Sequence, residues 1–90
     1  MKTIGDRIYN RLEPFLVAYR LAGFSVLVYK IRKGIDLRIR TDAYRWYSCT
    51  IRGIGKDMVL FEDITAGRWT DTMTYKEAVD TIISDIVEPA

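Results

Sequence analysis

The sequence predicts an α+β two-layer sandwich, ordered α-β-β-β-(β)-α, with an antiparallel meander and both helices on one face of the sheet. Three observations carry this expectation. Apolar residues recur at helical spacing near both ends of the chain. Between Ser25 and Arg52 apolar and polar residues alternate, and glycines punctuate the segments between.

The first element is a helix. Ile4, Ile8, Leu12, Phe15, Leu16 and Tyr19 fall on one stripe. Thr3, with Asp6 three residues later, is a fitting N-cap. Pro14 lies inside this run and has no N–H to donate, which predicts a kink or two helices meeting near Glu13. Gly23 is expected to stop the segment in a left-handed conformation.

The strands follow, and their register can be argued. Ile31, Ile35, Leu37 and Ile39 alternate with polar neighbours, and cross-strand partners share a face. Setting Ile31 opposite Ile35 leaves Arg32, Lys33 and Gly34 as a three-residue loop, with Gly34 in the left-handed position. A second loop of Asp42, Ala43 and Tyr44 pairs Ile39 with Tyr47, Leu37 with Cys49, and Ile35 with Ile51. On the opposite face Arg40 meets Trp46, Arg38 meets Ser48, and Lys30 meets Asp36, with Val26 and Val28 beside the arginines. Gly53 and Gly55 then mark a turn, and Met58 to Ile64 reads as a strand. Met58, Val59, Leu60 and Phe61 are apolar on both faces, so periodicity does not choose the inward side. Residues 65–73 form a polar connection with room for a short fifth strand.

The last element is again a helix. Thr74 and Glu77 form a capping box, and Val79, Ile82, Ile83 and Ile86 share a stripe, with Pro89 beyond. This order of elements also occurs in double-stranded-RNA-binding domains. Those domains carry a lysine cluster at the start of the final helix, where this chain has Lys76 among Glu77, Asp80 and Asp85. The similarity is one of topology, and no family is assigned from it.

Composition sets the outer bounds. Ninety residues, 49 % apolar and 29 % charged, suit a single domain over 1–90 with one core. One cysteine excludes an internal disulfide, and no secretory signal precedes the first helix, so a cytoplasmic location is expected. The apolar stretch from Phe15 to Tyr29 is broken by Arg20 and Gly23, and a membrane span needs about 20 apolar residues. The net charge of +2 hides a split: residues 1–52 carry +7 and residues 53–90 carry −5. Such halves either steer a partner or neutralise one another by packing together, and the second reading is favoured.

The chemistry excludes more than it suggests. There is no histidine, the commonest general base and metal ligand. Cys49 falls on the core face, where a thiol acts as a small hydrophobe. Glu62, Asp63 and Asp71 lack the converging spacing of a cation site. Gly53, Gly55 and Lys56 lack the remaining glycines and the hydroxyl of a phosphate loop. No catalytic residue, metal or cofactor is expected, and the chain reads as a non-enzyme.

Two surface features remain. One is the open sheet face, with Lys30, Arg38, Arg40, Trp46 and Arg52, whose guanidinium and aromatic groups suit carboxylates, phosphates or bases. The other is Arg68 with Trp69, residue types enriched at binding hot spots, although Trp69 could equally plug the sheet against the last helix. The expected function is a small protein-interaction module of adaptor or inhibitor type, docking a protein with an acidic or mixed surface. Phage-encoded inhibitors share this profile by analogy. The alternative is nucleic-acid binding through the same face, weakened by the low net charge and the acidic final helix.

Overall fold

The computed structural model describes residues 3–40, 46–65 and 69–87. Helix α1 (Ile4–Leu21) opens on the expected N-cap, Thr3, and Asp6 completes it as a capping box. The Asp6 amide donates to Thr3 Oγ1 at 3.1 Å, and the Thr3 amide donates to Asp6 Oδ2 at 3.2 Å. It closes on Gly23 at φ 95°, as the sequence indicates. There the Phe24 amide donates to the Tyr19 carbonyl and the Gly23 amide to Arg20, while the Tyr19 and Phe24 rings stack at 5.0 Å. This is a Schellman closure with its hydrophobic contact.

The expected break at Pro14 does not occur. Helix α1 runs unbroken for 18 residues, with Pro14 on its exposed side. Leu12 and Leu16, both fully buried, anchor the turns on either side, so packing holds the helix together across the missing hydrogen bond.

Five strands follow: β1 (Val26–Ile31), β2 (Gly34–Arg40), β3 (Trp46–Gly53), β4 (Met58–Asp63) and β5 (Trp69–Thr74). They pair in chain order as one antiparallel meander, so both the bracketed fourth strand and the short fifth one are formed. Helix α2 (Tyr75–Val87) begins with the Thr74–Glu77 capping box. Helix α1 lies over β1, β2 and β3, and α2 over β3, β4 and β5, with the helices touching each other. The architecture is the expected two-layer sandwich, with both helices on one face.

The β2–β3 register is the one the alternation requires, including Ile39 with Tyr47, Leu37 with Cys49 and Arg40 with Trp46. The β1–β2 register is not. Ile31 pairs with Gly34 and Lys30 with Ile35, across a two-residue turn of Arg32 and Lys33. Lys33, not Gly34, takes the left-handed conformation, at φ 61°. Gly34 lies in the strand, where a side chain would collide with the Ile51 carbonyl. A one-residue slip exchanges a strand's faces. In β1 that exchange is inexpensive, because Val26 and Val28 on one face are matched by Leu27 and Tyr29 on the other. Burial alone could not choose between them.

The same rule settles β4. Ile51 pairs with Phe61 and Gly53 with Val59, which turns Val59, Phe61 and Asp63 toward the helices. The core between the layers joins Ile8, Leu12 and Leu16 to Ile35, Leu37, Ile39, Ile51, Phe61, Val79 and Ile82. Each such side chain contributes roughly 1.5–3 kcal/mol on burial. Cys49 is fully buried there, and burial pushes its thiol well up, with the Asp63 carboxylate adding to the effect. Among the described residues no helix is long and apolar enough to cross a membrane.

Candidate functional site

The helix-free face of the sheet is laid out in rows by the pairing. Leu27, Arg38 and Ser48 form one row across β1, β2 and β3. Arg40 and Trp46 form the next row on one side. Tyr29, Asp36, Thr50, Glu62 and Thr70 form the row on the other side, across all five strands. Arg52 stands one row further, beside Leu60 and Thr72.

Leu27, Arg38, Trp46 and Ser48 enclose a half-open cleft of about 290 Å³. Leu27 and Trp46 are each 40 % exposed and form its apolar walls. The Arg40 guanidinium lies 6.0 Å from the centre of the Trp46 ring, a cation–π contact that orients the indole. Arg38 is exposed and makes no hydrogen bond or ion pair with any described residue. It is a solvent-facing guanidinium beside the apolar Leu27 and Trp46.

Thr65 fixes this end of β3, where β4 has already stopped opposite Cys49. The Ser48 amide donates to Thr65 Oγ1 at 2.6 Å, and the Ile64 amide donates to the Ser48 carbonyl at 3.0 Å. A side chain thus completes the hydrogen bonding that the missing strand would supply. Thr65 itself is held by its amide, which donates to Asp63 Oδ1 at 2.9 Å.

The predicted site residues separate accordingly. Arg38, Arg40 and Trp46 are brought together. Arg52 is on the same face but four β2 positions from Arg38, roughly 13 Å along the strands, with Asp36 and Glu62 in the row between. Lys30 leaves the face altogether. The slipped register turns it toward α1, where Nζ lies 2.8 Å from Asp6 Oδ1. Its expected partner Asp36 pairs instead with Tyr29, and the residues flanking Arg38 are Leu27 and Tyr29, not Val26 and Val28. Arg68 and the loop at Asp42, Ala43 and Tyr44 lie outside the described residues. The Trp69 backbone is in β5, paired with Asp63.

Leu27, Tyr29, Ser48 and Thr65 were missed as site residues. Leu27 and Tyr29 follow once β1 is shifted by one residue. Ser48 was already opposite Arg38 but lacked any signal of a cleft, and Thr65 acts through a contact across 17 residues that no local pattern reveals.

The face is also not uniformly basic. Asp36 and Glu62 lie in the row beside Arg38, and Asp36 Oδ1 is itself buried, without a hydrogen-bond partner among the described residues. The charge split of the chain is partly consumed internally: Arg7 pairs with Asp57 at 3.0 Å and Arg11 approaches Asp80 at 4.0 Å. Comparison with known proteins finds no family model, curated protein or solved structure that this chain matches.

Proposed function

We propose that the protein is a non-enzymatic interaction module that docks a protein partner through the open sheet face. The observation that supports this most directly is the Leu27–Arg38–Trp46–Ser48 cleft, whose guanidinium has no partner among the described residues. Half-exposed Leu27, Tyr29 and Trp46 give the face apolar anchors, and arginine beside tryptophan is the composition of binding hot spots. The complementary surface is acidic opposite Arg38 and Arg40.

Nucleic-acid binding is the second reading, favoured by Arg40 stacked on Trp46. A phosphodiester backbone crossing the face would meet Asp36 and Glu62 between Arg38 and Arg52, which counts against it.

The test is Arg38→Glu combined with Arg40→Glu. Both side chains are exposed, so the melting temperature should stay close to that of the unmodified protein. Partners captured from the native host are identified by mass spectrometry, purified and titrated against both proteins. Binding to an acidic partner should fall at least about a hundredfold, because two attractions become repulsions. A variant that keeps full affinity refutes the proposal. Oligonucleotide binding that weakens steeply with added salt, without a protein partner, selects the second reading.

A further inference from the structure

We infer that the cleft over β1, β2 and β3 is a subsite for one side-chain carboxylate, from an aspartate or glutamate with an apolar neighbour. This rests on the open-face reading and deepens it by naming what the partner inserts.

Size limits the occupant first. About 290 Å³ is at or below the lower end of small-ligand pockets and holds one or two side chains. Chemistry limits it next. The Arg38 guanidinium presents a planar fork of donors that matches a carboxylate, and Ser48 adds a hydroxyl on the same cross-strand row. Leu27 and Trp46 flank these groups and lower the local dielectric, which strengthens the charged hydrogen bonds. They also provide surface for an adjoining apolar side chain.

The surroundings then argue for a side chain on a continuing chain. The cleft is half-open on an exposed part of the sheet face, so a segment can cross it. Asp36 and Glu62 occupy the next row along the strands. A polyanion crossing the same path would be repelled there, whereas a single carboxylate needs only the Arg38 position.

The test titrates the capped peptide acetyl-Leu-Glu-Leu-amide into isotope-labelled protein and follows amide and indole resonances. The expected result is saturable shifts at Leu27, Arg38, Trp46 and Ser48, with a dissociation constant on the order of millimolar. The glutamine counterpart of the peptide should bind about tenfold more weakly, and Arg38→Gln should cost a similar factor. Ser48→Ala, which removes no charge, should cost a smaller one. Absence of saturable shifts, equal binding of the glutamine peptide, or tighter binding of inorganic phosphate would each overturn the assignment. An uncapped glutamine peptide that binds as well as the capped glutamate one would move the carboxylate to a chain terminus, which also overturns it. If the peptide fails but Arg38→Glu with Arg40→Glu still abolishes partner binding, the face reading survives and the subsite falls. If the peptide binds but the charge reversal leaves partner binding intact, the docking proposal falls instead.

Discussion

At Lys33 and Gly34 two neighbouring residues have exchanged the roles their identities suggest. Lys33 carries the left-handed backbone and Gly34 the extended one. Gly34 is glycine because the Ile51 carbonyl leaves no room for a side chain, and a side chain at Gly5 in the first turn of α1 would in turn crowd the Gly34 carbonyl. Gly34→Ala is therefore expected to cost about 2–3 kcal/mol, as overpacking against backbone. Lys33→Gly removes left-handed strain and should leave stability unchanged or raise it by about 0.5 kcal/mol after the added chain entropy. Urea denaturation of the two variants checks this, and the opposite ranking would restore the three-residue loop. Lys30 shows the same lesson through charge. Its ammonium reaches Asp6 on helix α1 at 2.8 Å while the side chain stays exposed, so the position on the helix side of the sheet edge accepts a charge.

Pro14 in α1 poses the question at the scale of an element. The helix retains its geometry although residue 14 cannot donate, so the element is set by the buried stripe of Ile8, Leu12 and Leu16 rather than by propensity. Pro14→Ala restores the donor and improves helix propensity. The interior penalty of about 3 kcal/mol, less about 0.4–1 kcal/mol regained by the unfolded chain, predicts a net gain of about 2 kcal/mol. A shift of the denaturation midpoint to higher urea at unchanged slope checks it, and a loss of stability would mean the ring makes packing contacts that alanine cannot replace. For α2 the capping box and the buried Ala78, Val79, Ile82 and Ile86 agree, which is why that helix was readable residue by residue. Strand β1 stands at the other extreme. Val-Leu-Val-Tyr-Lys-Ile is apolar on both sides, and no local rule chooses its register.

Over the whole molecule, charge joins distant elements. Arg7 of α1 pairs with Asp57, donates to the Lys56 carbonyl at 2.9 Å and lies 5.4 Å from the Tyr75 ring centre, tying the β3–β4 turn to the start of α2. Asp6 and Lys30 tie α1 to the sheet edge. The hydrogen bond from Lys30, aided by the Thr3 amide, lowers the Asp6 carboxyl to about 2. Since that value lies below the ordinary 3.8, the stabilisation is fully present above about pH 4 and is lost as pH falls toward 2. Asp6→Asn should flatten the fall in melting temperature across that window and leave the profile between pH 5 and 8 parallel to the original. An unchanged acid profile would show that the pair does not couple to folding.

What the sequence determined by itself was the two terminal helices with their N-caps at Thr3 and Thr74, the strands up to β4, the β2–β3 register and the core placement of Cys49. Each of these rests on contrast between adjacent residues: apolar against polar on a strand, or a cap against the run that follows it. Arg38, Arg40 and Trp46 were legible as one surface for the same reason, because Leu37, Ile39 and Tyr47 could face only the core. Tertiary structure decided what had no such contrast. The faces of β1 and β4 were both apolar, so the β1 register came from closure of the Arg32–Lys33 turn and the reach of Lys30 to Asp6, and the inward side of β4 from pairing Phe61 with Ile51 and Val59 with Gly53. The cleft exists only after those choices, since Leu27 and Ser48 come from strands separated by β2, and burial is a property of their packing rather than of either residue.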